Sequence, residues 1–222
     1  MIRDIDLAAE TDGKRYSYND MARLGCNECE GCSDCCRSVE DTIVLDPFDV
    51  YNIKRINGQE FTVYSELGVV DGLILPHMKM TGDGGCCVFL NENGRCSIHK
   101  NRPGFCRLYP LGRLYEDGDY SYILLKGQCI KERTTKVKIS KWLELENPRR
   151  YHEFIVSWHY FTKALQDKIM AGDFSEEEQK QAAMLLLKIF YMQPYDTMLD
   201  FYEQYEERIS AAKNMPLLGG LL

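Results

Sequence analysis

One short run constrains the chain more than anything else in it: Cys26-Asn27-Glu28-Cys29-Glu30-Gly31-Cys32-Ser33-Asp34-Cys35-Cys36, which carries five of the ten cysteines. A thiol at every third position of a polar loop with Gly and Asp fits no helix or strand packing pattern. Two sulfurs separated by two residues fold over one soft metal ion, with the intervening amides turned toward the sulfurs. The run therefore reads as a chelating loop through Cys29, Cys32, Cys35 and Cys36. The later Cys86, Cys87, Cys96, Cys106 and Cys129 are dispersed, and each taken alone also reads as a small buried hydrophobe.

Bulk properties set the frame for that loop. A chain of 222 residues suits one domain or two small ones with a real core. The net charge of −7 argues against a nucleic-acid partner, which would need a basic surface. The one local basic stretch is Lys131, Arg133, Lys136, Lys138 and Lys141. Met1–Asp6 lacks the pattern of a secretory leader, and no apolar run approaches a membrane span, so the expected compartment is the cytoplasm. There cysteines stay as thiols or bind metal.

The chain divides by pattern into three expected parts: an N-terminal segment 1–23, a cysteine-rich metal-binding domain 24–136, and a helical region 137–222 with an apolar tail. The expected class is α+β, a small cysteine-rich half of short hairpins and helices followed by a three-helix segment. Tyr16–Leu24 reads as a short helix and Asp41–Leu45 as a strand. Asp46-Pro47 opens a helix that Asn57-Gly58 stops. Gly72–Leu75 and His77–Met80 read as strand pieces. Asn91-Glu92-Asn93-Gly94 turns a hairpin that brings Cys87 toward Cys96, and Asp117-Gly118-Asp119 turns a second. Tyr151, Phe154, Ile155, Trp158, Phe161, Leu165 and Ile169 fall on one helical face. Ser175-Glu176-Glu177-Glu178 is a capping box that starts the next helix. Met198, Phe201, Tyr202, Tyr205 and Ile209 mark the third. The tail Pro216–Leu222 either docks on its own domain or meets another chain.

Cys29-x-x-Cys32-x-x-Cys35-Cys36, followed by Cys87-Val-Phe-Leu and by Cys96-Ser-Ile-His99-Lys-Asn-Arg102-Pro103-Gly-Phe-Cys106-Arg107-Leu-Tyr109-Pro110, resembles the YkgJ-type CxxCxxCC cysteine-cluster family. That family is described as a zinc- or iron-chelating domain, and the flagellin lysine N-methylase carries a similar one. The resemblance covers about Cys29 to Cys129. It implies Cys29, Cys32, Cys35, Cys36, Cys87, Cys96, Cys106 and Cys129 as metal ligands and leaves Cys26 and Cys86 as extras, either of which stands close enough to replace a neighbour.

Eight thiolates permit two four-sulfur sites, or one four-iron cluster and a second site. Adjacent Cys35 and Cys36 are expected to project apart, one to each site or with one of them a packing residue. Each four-thiolate site carries a formal charge of about −2. Arg102 and Arg107, which bracket Cys106, are candidates to offset it by reaching sulfurs or nearby carboxylates, and equally read as surface ion pairs. Pro103 fits a helix start, placing Cys106 in a first turn. His99 sits at ligand spacing from Cys96, although that position is not held to histidine in the family. Zinc and iron–sulfur both remain open. The expected partners are metal ions, with a protein or peptide as a further one. The alternative activity implied by the resemblance is an iron–sulfur protein- or peptide-modifying enzyme that uses S-adenosylmethionine; no glycine-rich nucleotide loop accompanies it.

Overall fold

The structure, a computed structural model, describes residues 6–25, 32–37, 42–81, 85–129 and 135–219. In chain order the elements are α1 (Leu7–Glu10), β1 (Met21–Gly25), α2 (Pro47–Asn57), α3 (Phe61–Tyr64), β2 (Ser65–Val70), β3 (Leu73–Met78), β4 (Met80–Thr81) and β5 (Cys86–Cys87). They continue with α4 (Gly104–Leu108), β6 (Leu111–Glu116), β7 (Asp119–Leu124), β8 (Thr135–Lys138), α5 (Ile139–Leu143), α6 (Pro148–Ala171), α7 (Glu176–Leu187) and α8 (Phe201–Lys213). The strands pair antiparallel as β1–β8, β2–β3, β4–β5 and β6–β7. The fold is thus α+β, with small sheets and a C-terminal run of helices.

The chain packs as two compact units. One comprises Arg3–Ile43 and Lys79–Pro148, the other Val44–Met78 and Arg149–Leu222. The stretch 44–78 lies between cysteines in the sequence yet packs with the C-terminal helices.

In the cysteine unit, Ala22, Leu24, Leu108, Leu111, Tyr122, Ile139 and Leu143 form a buried cluster. Hairpin β6–β7 turns at Asp117-Gly118, both with positive φ, as the turn chemistry requires. Trp142 Nε1 donates to Tyr109 O at 3.2 Å and ties α5 to the end of α4. The short helix expected over Tyr16–Leu24 is instead loop and strand. Met21–Gly25 pairs with Thr135–Lys138, so a distant strand captures backbone groups that a helix would have satisfied internally. Leu24 is buried and Met21 faces outward.

The second unit is built on rings. Phe154 meets Tyr205 edge-on at 4.7 Å, Phe48 meets Phe201 at 5.0 Å, and Trp158 meets Phe190 at 5.0 Å. These are the spacings at which aromatic quadrupoles attract. The helical stripe expected from Tyr151 to Ile169 is the buried face of α6 as far as Leu165, while Ile169 is only half-buried. Asp46 caps α2 reciprocally with Asp49, Pro47 occupies the first turn, and Gly58 ends the helix in the left-handed region. Ser175 and Glu178 form the expected capping box of α7. Met198 departs from expectation: it is 90% exposed, and α8 begins only at Phe201 behind its cap Asp200. Of the expected strand Asp41–Leu45, Asp41 lies outside the described residues, and Val44 makes a single bridge to His77. Leu218 is fully buried, so the described part of the tail docks on the chain itself. No described helix is long and apolar enough to cross a membrane.

Candidate metal centre

Three segments of the cysteine unit bring sulfurs together. The first is a single tight turn over Asp34–Cys36, held by Cys36 N–H to Ser33 O (2.8 Å) and Arg37 N–H to Asp34 O (3.0 Å). The second is the β4–β5 pair, which sets Met80 against Cys87 and Thr81 against Cys86. The third begins past the turn Asn91–Gly94, where Asn91 Oδ1 accepts from Asn93 N–H and Arg95 N–H and Gly94 takes φ +69°. The expected hairpin is real but short. It consists of one bridge between Leu90 and Cys96, with Ser97 N–H donating to Phe89 O at 2.8 Å. Leu90 N–H to Cys87 O (2.9 Å) draws Cys87 to the same end.

Cys35, Cys36, Cys87 and Cys96 thereby come within electrostatic reach of one another. Cys35 and Cys36 act on each other, so the two adjacent thiols do not ionise independently. The interaction between the two thiols pulls Cys35 down to about 7 and pushes Cys36 well up. Burial raises Cys87 and Cys96, and neighbouring sulfurs add to the rise in both. Each negative sulfur penalises the next, a penalty a bound cation would remove. Arg102 opposes it as well, by favouring the thiolates of Cys35 and Cys96. Its own ionisation is disfavoured first by burial and then by Arg107, and favoured by Glu144, Cys106 and Cys96.

The remaining cysteines have other surroundings. Cys32 Sγ donates to Asp34 Oδ2 at 3.0 Å, which raises its ionisation threshold. Cys86 accepts from Arg37 Nη1 at 3.3 Å. Cys106 is the third residue of α4, whose N-cap is Pro103, and lies within the field of Arg102. Cys129 lies in a cleft lined by Asp12, Arg23, Leu124, Leu125, Lys126 and Gly127; no other described cysteine lines it. Cys26 and Cys29 lie outside the described residues. All the described cysteines are free thiols.

The flanking cations take particular partners. Arg107 donates to backbone carbonyls, Nη1 to Leu143 O (2.9 Å) and Nη2 to Lys100 O (2.7 Å), and so clasps α4 to α5 and to the turn before it. Arg102 Nη1 lies 3.2 Å from both ring nitrogens of His99 and donates to His99 O at 3.1 Å. Burial, then Arg102, lowers the basicity of His99. Sequence reading missed Asp34 and Arg37 as partners of sulfur. The only signal was adjacency, since Arg37 directly follows the Cys35-Cys36 pair.

The donor set is chemically suited to a soft or borderline cation such as zinc or iron. Among the described residues, no three His, Cys, Asp or Glu side chains stand in a ready coordination arrangement. Residues 28–129 match the CxxCxxCC family model, described as a "putative zinc- or iron-chelating domain". No curated protein and no solved structure matches the chain.

Proposed function

We propose that the protein, whose residues 28–129 match the CxxCxxCC zinc- or iron-chelating family model, binds its metal through thiolates centred on Cys35, Cys36, Cys87 and Cys96. What supports this reading is that three separate segments bring these four sulfurs within electrostatic reach of one another, short of a finished coordination arrangement. Sulfurs gathered only to fill a core would not need to sit where each raises the cost of ionising the others. Bound metal supplies the positive charge that makes four thiolates stable together. Cys29, Cys32, Cys106 and Cys129 are the further family thiolates, and they are assigned to completing this centre or forming a second.

Arg102 has a distinct role in the proposal. Its guanidinium offsets the residual negative charge of a metal–tetrathiolate group, and His99 holds it in place through Nη1. Arg107 supports the same region by fixing backbone carbonyls rather than by reaching sulfur.

The test is metal content and visible spectrum of protein purified without oxygen. Stoichiometric zinc in colourless protein, or iron with sulfide and a broad visible absorbance, bears the reading out and chooses the metal. Protein that takes up neither zinc nor reconstituted iron–sulfur overturns it. A modifying activity like that of the flagellin lysine N-methylase has no described residue arguing for it. Heat stabilisation by S-adenosylmethionine would bring it back, because a ligand bound only by the folded state raises its melting temperature.

A further inference from the structure

The edge of hairpin β2–β3 points to a second copy of this chain. Asp71 (φ +48°) and Gly72 (φ +84°) form the two-residue turn, so the flanking pair Val70–Leu73 exchanges hydrogen bonds across the hairpin. Hydrogen-bonded pairs alternate from there. Gly68–Leu75 and Glu66–His77 are bonded pairs, while Val69–Ile74 and Leu67–Pro76 direct their backbone groups away from each other. One observation fixes this phase independently: Pro76 O, on the outer side of β3, accepts from Leu45 N–H at 2.9 Å. The outer side of β3 is therefore occupied. On β2 the amides of Leu67 and Val69 face outward, and among the described residues no strand pairs with that side.

The side chains at these two positions are apolar and open, Leu67 at 55% and Val69 at 74% exposure. Isolated proteins blunt such an edge with lysine, proline or a bulge. None stands on β2: its one charged residue, Glu66, belongs to an inward-bonded pair.

We propose that β2 pairs antiparallel with β2 of a second copy about a two-fold axis at Gly68. In that register Leu67 lies opposite Val69 of the second copy, and Val69 opposite its Leu67. The outward amides then form about four hydrogen bonds. The apolar side chains become cross-strand neighbours on one face. Gly68 meets Gly68 at the close, non-bonded position. Glu66 faces Val70 rather than another Glu66, so no like charges oppose. The strand is its own complement, which argues for a second copy over an unrelated peptide. The absence of a side chain at Gly68 is already required inside the hairpin, because a Cβ there would lie 2.8 Å from the His77 ring. The contact is small, so the dimer is a weak one that forms with rising concentration.

Sedimentation velocity over a micromolar concentration series tests this on the full chain, with metal content and melting temperature read beside it. Wild type should pass from monomer to dimer. Val69→Glu should weaken the dimer by at least about tenfold while leaving metal content and melting unchanged. Leu67→Lys combined with Val69→Glu should restore it, since the two-fold register sets each Lys opposite a Glu. A wild type that stays monomeric, a Val69→Glu dimer as tight as wild type, or no recovery in the double variant would each overturn the proposal. None of these outcomes bears on metal binding.

Discussion

Cys86 and Cys87 are neighbours in the chain with different surroundings. Cys87 is buried beside Cys96 and Cys35, whereas Cys86 is turned to the Arg37 guanidinium at the rim. Replacing Cys36 or Cys96 with serine should therefore lower bound metal and melting temperature together, because assembly of a thiolate site and folding are coupled. Cys86→Ser should leave the metal in place. Elemental analysis and a thermal melt of the three variants decide it; equal metal in all three would remove Cys36 and Cys96 from the ligand set. At this scale the sequence was informative where chemistry repeats at fixed spacing, as in the Cys29–Cys36 run. For Arg37 it offered only adjacency to Cys36, because the contact with Cys86 spans 49 residues and obeys no period. Tyr191 is a second case. Its buried hydroxyl donates to Leu45 O at 2.9 Å across 146 residues, and no local pattern announces it. Tyr191→Phe should cost about 1–2 kcal/mol in urea unfolding, the penalty for a buried carbonyl left without its donor.

Among the elements, the capping box of α7 is both legible and testable. Ser175 Oγ accepts from Glu178 N–H, and Glu178 Oε2 accepts from Ser175 N–H at 2.9 Å. Ser175→Ala should destabilise by about 1 kcal/mol in urea unfolding. The hydrogen bonds from Ser175 hold the Glu178 carboxyl below its ordinary value. A depressed carboxyl binds fewer protons folded than unfolded, so its contribution is complete above about pH 4.3 and is lost as pH falls through the folded value. The stability difference between wild type and Glu178→Gln should thus be full at neutral pH and shrink in acid. A difference that grew in acid would refute the bond as drawn. Elements written in local chemistry were read correctly: the α2 and α7 caps, the Asp117-Gly118 hairpin and the α6 stripe. β1 and β2 were not. β1 exists because β8 arrives from more than a hundred residues away. The Asp71-Gly72 turn did carry a hairpin signal, but Ser65–Val70 alternates poorly because its outer face is apolar and exposed.

The two units of the molecule rest on different physics. The unit of Val44–Met78 and Arg149–Leu222 holds large fully buried rings, among them Tyr64, Phe161, Phe190 and Phe201, and long helices. Its Arg208 side chain donates to Ile189 O, Gln193 O and Pro194 O, satisfying the carbonyls where α7 ends in a wide π-type turn. The sulfur-bearing part of the other unit is held by two-residue strands, a lone bridge and single turns. Elements that short do not supply enough buried area or enough hydrogen bonds to hold themselves, and on the proposed reading a bound metal supplies the stabilisation they lack. Sequence composition registered this contrast as a cysteine-rich and a helical half, but not that residues 44–78 side with the helices. That division follows from which apolar faces cover one another, and covering is a property of the folded chain. Stripping the metal with a chelator should therefore act on one unit first. Amide hydrogen exchange should rise across residues 85–108 while α6 and α8 keep their protection. A uniform rise through both, or none in 85–108, would show that these turns do not depend on a bound ion.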